Sequence, residues 1–247
     1  MKKWLQEVLK SHPRLFDIVI RRIKRQLLRR RSPVFTFLDG LSKSRAGRID
    51  FVQIGANDGL RNDPVREFIV RDPWHGILIE PLPTVFEELR QNYGYLLPKR
   101  DISFENVAIS AQESSLPFYT FREDFLRSLP PEVRLDMLRK SSFDRAHVAQ
   151  FAKDPADIAQ INVPCVPVAG IIKKYFPANR LDLLVIDAEG HEATILNSID
   201  FSVTDIHAIL FESEHIGAGH DPIFGMLKSH GYSIRESGRD AFAEKVT

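Results

Sequence analysis

The chain has 247 residues, 43% of them apolar and 27% charged, with 34 Lys and Arg against 33 Asp and Glu and a single Cys. That length and apolar content suit one α/β domain with a short appendage and exclude a largely disordered chain. The lone Cys165 excludes an internal disulfide and an all-Cys zinc site, the pattern of an intracellular protein.

The net charge of +1 averages two unlike parts. Residues 1–31 carry eleven Lys and Arg against Glu7 and Asp17, which leaves 23 basic and 31 acidic residues, a net of −8, for positions 32–247. Within the basic part Leu15, Ile18, Val19, Ile23 and Leu27 fall near one helical face, and Pro13 suits a first turn. The expectation is a basic amphipathic helical arm over 1–48. It either packs on the domain with its arginines solvated or faces an anionic membrane, an acidic partner or nucleic acid. With neither a run of ~18–20 apolar residues nor a signal-peptide core, the protein is expected in the cytoplasm. Peripheral contact with the inner face of the membrane through residues 1–31 is the alternative.

From 49 onward, apolar runs at 49–54, 76–79, 102–107, 116–121, 163–168, 183–186 and 208–211 read as strands. Helical stretches at 64–70, 84–93, 169–176 and 193–198 lie between them. The alternation predicts an α/β, doubly wound, Rossmann-like, mostly parallel seven-stranded sheet over 49–247. Residues 122–160 break the pattern: they are charged, hold Pro130 and Pro131, and have helical spacing. A segment of that length exceeds the usual ~2–6-residue connection, so it is expected to be an insertion, acting as a lid or as surface decoration.

Three strand ends carry the chemistry. Strand 49–54 runs into Gly55-Ala56-Asn57-Asp58-Gly59, where Gly55 clears space for a ligand at the backbone and Gly59 permits a turn with positive φ. The G-x-G-x-x-G signature of a dinucleotide site is incomplete, which suits a ligand without a pyrophosphate. Strand 76–79 ends in Glu80, placed to accept hydrogen bonds from ribose hydroxyls. Strand 183–186 delivers Asp187, Glu189, His191 and Glu192 into a turn, and strand 208–211 is followed by Glu212, Glu214 and His215. Acids in the first turn of a helix also favour its dipole, the simpler role for Glu192.

The segments FVQIGANDG (51–59), NDP (62–64), WHGILIEPLPTVFEELRQNY (74–93), NVAIS (106–110), LLVIDAEGHEATIL (183–196) and FESEH (211–215) together resemble the FkbM family of class I S-adenosylmethionine-dependent methyltransferases. The resemblance implies S-adenosyl-L-methionine as cofactor. Gln53, Gly55, Ala56, Asn57, Asp58 and Gly59 would cradle its methionine part, Glu80 its ribose, and Asn106 to Ala108 would lie near its adenine, with Asp187 beside the methyl group. It also implies O-methylation of a hydroxyl on a sugar, glycan or glycosylated metabolite. The chain departs from the family at Ala169-Gly170, where Thr is more usual, and over 122–160, both on the acceptor side.

A hydroxyl acceptor needs a base, and Asp187, Glu189, His191, Glu212 and His215 are the candidates by type and place. No metal is assigned: Asp187, Glu189 and Glu212 could serve Mg²⁺ as oxygen ligands, but acids near two strand ends do not define an octahedral site. The competing readings are an NAD-dependent oxidoreductase on the same fold, and a nucleic-acid- or membrane-binding module using the arm. The acidic body counts against nucleic acid.

Overall fold

A computed structural model describes residues 12–15, 17–18, 32–214 and 216–246. The first elements are α1 (Pro33–Ser44), β1 (Asp50–Ile54), α2 (Arg66–Arg71), β2 (His75–Ile79), α3 (Pro83–Tyr93), β3 (Ile102–Glu105), β4 (Ala108–Ile109) and β5 (Ser114–Phe121). Next come α4 (Glu123–Ser128), α5 (Pro131–Leu138), α6 (Arg145–Ala149), β6 (Ile158–Val166), α7 (Val168–Tyr175) and β7 (Arg180–Ile186). The chain closes with α8 (Glu192–Asn197), β8 (Asp205–Glu212), α9 (His220–Ser229), β9 (Tyr232–Ser237) and β10 (Asp240–Lys245).

Among the described residues the main sheet has seven strands in the order β3-β2-β1-β7-β8-β10-β9, with β10 antiparallel to both of its neighbours. Successive side chains on a strand point to opposite faces, so the continuous apolar runs must be covered on both. Val52, Ile54, Leu184, Ile186 and Ile209 pack on one face with Ile172 of α7, Ile195 of α8 and Leu227 of α9. Phe51, Leu78, Val185 and Leu210 pack on the other with Phe68 of α2 and Leu89 and Tyr93 of α3. The expected doubly wound α/β architecture is present.

Its membership differs from the expectation. The segments read as strands at 116–121 and 163–168 form β5 and β6 of a separate three-stranded sheet, ordered β4-β6-β5. Their burial is one-sided, which an antiparallel pair with one solvated face tolerates. Their places in the main sheet are taken by β9 and β10, whose charged residues Arg235, Glu236, Glu244 and Lys245 hid them from a search for apolar runs.

The boundary at 48 is also corrected. Residues 33–44, counted with the arm, form α1, started by the Ser32 hydroxyl, which accepts from Phe35 N, and by Pro33. Phe35, Phe37, Leu38 and Leu41 are buried in the core, with Phe35 against Phe68 at 5.3 Å and Phe37 against Phe242 at 5.1 Å between ring centroids. Of the arm itself, Pro13, Arg14, Leu15, Asp17 and Ile18 are described and are helical; Val19, Ile23 and Leu27 lie outside the described residues. Among the described residues no helix is long and apolar enough to cross a membrane.

Candidate active site

The strand ends of β1, β2 and β7 meet at the glycine loop. Asp187 N donates to Ile54 O at 3.0 Å, while Gly55 N and Ala56 N donate to Ile79 O at 3.0 and 2.9 Å. Gly55 has φ +76°, and a Cβ there would collide with the carbonyl oxygen of Asp187. The missing side chain lets the end of β7 pass close against the loop, and Gly55 also lines the cleft beside it. Gly59, at φ +64°, has the expected positive φ and packs on the Tyr93 ring.

Glu80 is buried and bridges two loops, accepting from Asn57 N and Leu82 N at 3.0 Å each. Burial pushes it up to about 7 against those two hydrogen bonds, helped by the charges of Asp187 and Asp58. Gly55, Asn57, Glu80, Ala108 and Asp187 line a cleft of about 500 Å³, part of it open to solvent. The other expected cofactor residues sit behind it. Asp58 accepts from Leu60 N and Arg61 N at 3.0 Å each, closing the turn. Asn106 Nδ2 donates to Glu80 O at 2.8 Å and Pro81 O at 3.1 Å, tying the ends of β2 and β3 together. Gln53 and Ala56 are buried within the fold, and neither is among the residues lining the cleft.

The helical insertion supplies a wall of this cleft through Leu138, Arg139, Ser141 and Phe143. It is clamped to the acidic turn: Lys140 Nζ lies 2.8 Å and His147 Nε2 3.2 Å from the Glu189 carboxylate, and Ser142 Oγ donates to Glu189 O at 2.7 Å. Glu189 holds a left-handed φ of +47°, unusual for a residue with a side chain.

Asp187 also borders a second, larger cavity of about 1280 Å³, part of it open to solvent. Glu212, Asp63, Asp240 and Asp17 share its lining, with Arg66 and Ser32. Burial, then the charge of Glu189, pushes Asp187 up to about 6. Burial, then the charge of Asp187, pushes Glu212 up to about 7 despite its ion pair with Arg239. Glu192 serves the turn, as the simpler role had it: it accepts from Ala188 N at 2.7 Å and Gly190 N at 3.0 Å.

Of the expected catalytic residues, Asp187 and Glu212 reach the second cavity, and Glu189 faces only the cleft. His191 is among the lining residues of neither. Its Nε2 is 3.3 Å from Ser110 Oγ, its ring lies against Phe143 at 4.5 Å, and burial lowers its pKa. His215 lies outside the described residues. The three carboxylates able to share a cation among the described residues are Asp187, Glu192 and Glu212, whose oxygens lie within 4.8 Å of one another; the sequence reading had named Glu189 in place of Glu192. Asp17, Asp63, Arg66 and Asp240 were missed. Asp63 lies in the NDP segment, but nothing local marks Asp17 or Asp240.

The cleft fits S-adenosylmethionine. A buried carboxyl group at the end of β2 is suited to hydrogen-bonding a pair of ribose hydroxyls, and Ile79, Leu82, Val107 and Phe118 give apolar walls for a flat base. Among solved structures, the chain is similar to the methyltransferase FkbM from Methylobacillus flagellatus KT at 10% identity and TM-score 0.47, covering 80% of this chain but only 44% of that one. It is also similar to the magnesium protoporphyrin IX methyltransferase from Synechocystis PCC 6803 with bound SAM, at 12% identity and TM-score 0.44 over 94% and 83% of the two chains. No curated protein matches significantly. The model of the methyltransferase FkbM domain matches residues 53–234, which takes in the glycine loop, Glu80 and both acidic strand ends and replaces the oxidoreductase alternative. The chain belongs to this FkbM family of S-adenosylmethionine-dependent methyltransferases.

Proposed function

We propose that the protein methylates a hydroxyl of a sugar, glycan or glycosylated metabolite. The supporting observation is that Asp187 borders both the cofactor cleft and the carboxylate-lined cavity. When bound, S-adenosylmethionine supplies a methyl group on a good leaving group, so alignment is the main requirement. The carboxylates of the cavity accept hydrogen bonds from acceptor hydroxyls and disfavour an anionic acceptor. Asp187, with Glu212 beside it, takes the hydroxyl proton as the oxygen attacks.

Labelled S-adenosylmethionine incubated with the protein and fractionated host extracts tests this reading. Label is expected in a polysaccharide, lipid-linked or small-glycoside fraction and should survive mild alkali, as a methyl ether does. Alkali-labile label, or label confined to protein or nucleic acid, overturns it.

A peripheral membrane location is proposed on a separate observation: Leu15 and Ile18 are 51% and 49% exposed on a segment rich in Lys and Arg. Each basic side chain near an anionic surface contributes about 1 kcal/mol. The protein is expected to sediment with phosphatidylglycerol vesicles, less so at high salt, and the Leu15→Glu/Ile18→Glu variant should stay in the supernatant with cofactor binding intact. Failure of the unaltered protein to sediment refutes the location.

A further inference from the structure

The described part of the arm docks through its polar side. Asp17 is 6% exposed while Leu15 and Ile18 point outward, the reverse of what an apolar stripe packed on the domain would give. The Asp17 carboxylate accepts from Arg66 Nε at 3.0 Å and Nη2 at 3.1 Å, a two-point pair, and also from Tyr95 OH. Arg66, itself 3% exposed, continues the same guanidinium to Gly59 O at 2.9 Å and Asn92 O at 2.8 Å, and stacks over the Tyr93 ring at 4.5 Å. A carboxylate from the N-terminal segment is thus fastened to the last residue of the glycine loop. Asp17 and Ser32 both line the cavity that holds Asp187 and Glu212.

We propose that Asp17 is a positioning residue, whose buried pairing with Arg66 holds it and the described helical residues beside it in place as part of the wall of the acceptor cavity. The assignment of that cavity to the acceptor rests on the function proposed above; the wall itself does not. Loss of the carboxylate leaves Arg66 buried without its partner, which favours release of the segment. Neither Asp17 nor its pair with Arg66 lies on the cofactor cleft, so release opens the cavity and leaves the cleft unaltered.

The single native Cys165 is buried, so an introduced thiol is the reactive one. Asp240→Cys places a thiol on the cavity lining, opposite Glu212 in the β10–β8 pair, and leaves the Asp187 and Glu212 side chains themselves unchanged. Its alkylation by iodoacetamide is expected to be at least about tenfold faster when Asp17→Ala is added, and to return to the slow rate with Asp17→Glu. S-adenosylhomocysteine affinity by calorimetry should stay within about twofold in all three proteins. Equal alkylation rates with and without the Asp17 carboxylate overturn the proposal. Should Asp17→Ala fail to fold, hydrogen exchange on the unaltered protein decides: protection at Asp17 and Ile18 comparable with α2 supports the wall, and unprotected amides there overturn it. Neither readout involves a methyl acceptor, so a wrong acceptor class shows only in the labelling experiment.

Discussion

Asp187→Asn is expected to lower the rate of methyl transfer by ~10²–10³-fold while changing S-adenosylhomocysteine affinity by no more than about fivefold. Asn keeps the shape of Asp187 and the backbone link from its N–H to Ile54 O, and removes only the charge that can take a proton. The same assignment sets a pH dependence. Asp187 is pushed up to about 6 and Glu212 to about 7, each first by burial and then by a neighbouring carboxylate, so the pair titrates as a unit. The ionised form accepts the proton; it is present above these values and is lost as pH falls through them. In the unaltered protein kcat/KM should be level above that range and fall towards tenfold per pH unit below it, and Asp187→Asn should flatten the fall. His191→Gln, altering a ring that was not found lining either cavity, is expected to stay within about threefold. An Asp187→Asn protein retaining more than about a tenth of the activity would sink the assignment.

Gly55→Ala is expected to cost at least about 3 kcal/mol of stability or to prevent folding. The left-handed φ of +76° costs an L-residue roughly 1–2 kcal/mol by itself. The larger part comes from the Cβ, which meets the Asp187 carbonyl oxygen, and backbone cannot swing aside as a side-chain tip can. Relief would require parting β1 from β7 at the middle of the sheet, where Asp187 N is bonded to Ile54 O. Gly170→Ala in α7 is the contrast, since its Cβ meets nothing within 4 Å and Ala favours the helix by roughly 0.5–1 kcal/mol. Urea unfolding of the two variants measures the difference, and a loss below about 1 kcal/mol at Gly55 would show that the strand ends can separate cheaply.

The parts of the fold that were legible are those with local causes. β1, β2, β7 and β8 are short runs apolar at nearly every position because they are covered on both faces, and that coverage leaves its mark in the sequence. The strand-to-turn segments at Gly55–Gly59, Glu80 and Asp187–Glu192 were legible for the same reason, since each is a few consecutive residues at the end of such a run. β9 and β10 were not, because Arg235, Glu236, Glu244 and Lys245 interrupt their apolar pattern. α1 was misassigned because a helix whose Phe35 and Phe37 are buried reads, from sequence, as a continuation of the basic segment before it.

By itself, then, the sequence determined a doubly wound sheet, a turn for a nucleoside-bearing cofactor and a set of acids at two strand ends. Tertiary structure decided where each acid lies and what it meets. Asp187 and Glu212 reach the second cavity, Glu192 turns back onto its own backbone, and Glu189 is taken up by Lys140 and His147, 49 and 42 positions away. Asp17 meets Arg66 49 positions along the chain. Strand pattern and turn chemistry act over a few residues and are written locally. The partner of a buried charge is chosen by how distant segments fold over the strand ends, and no local pattern encodes that choice.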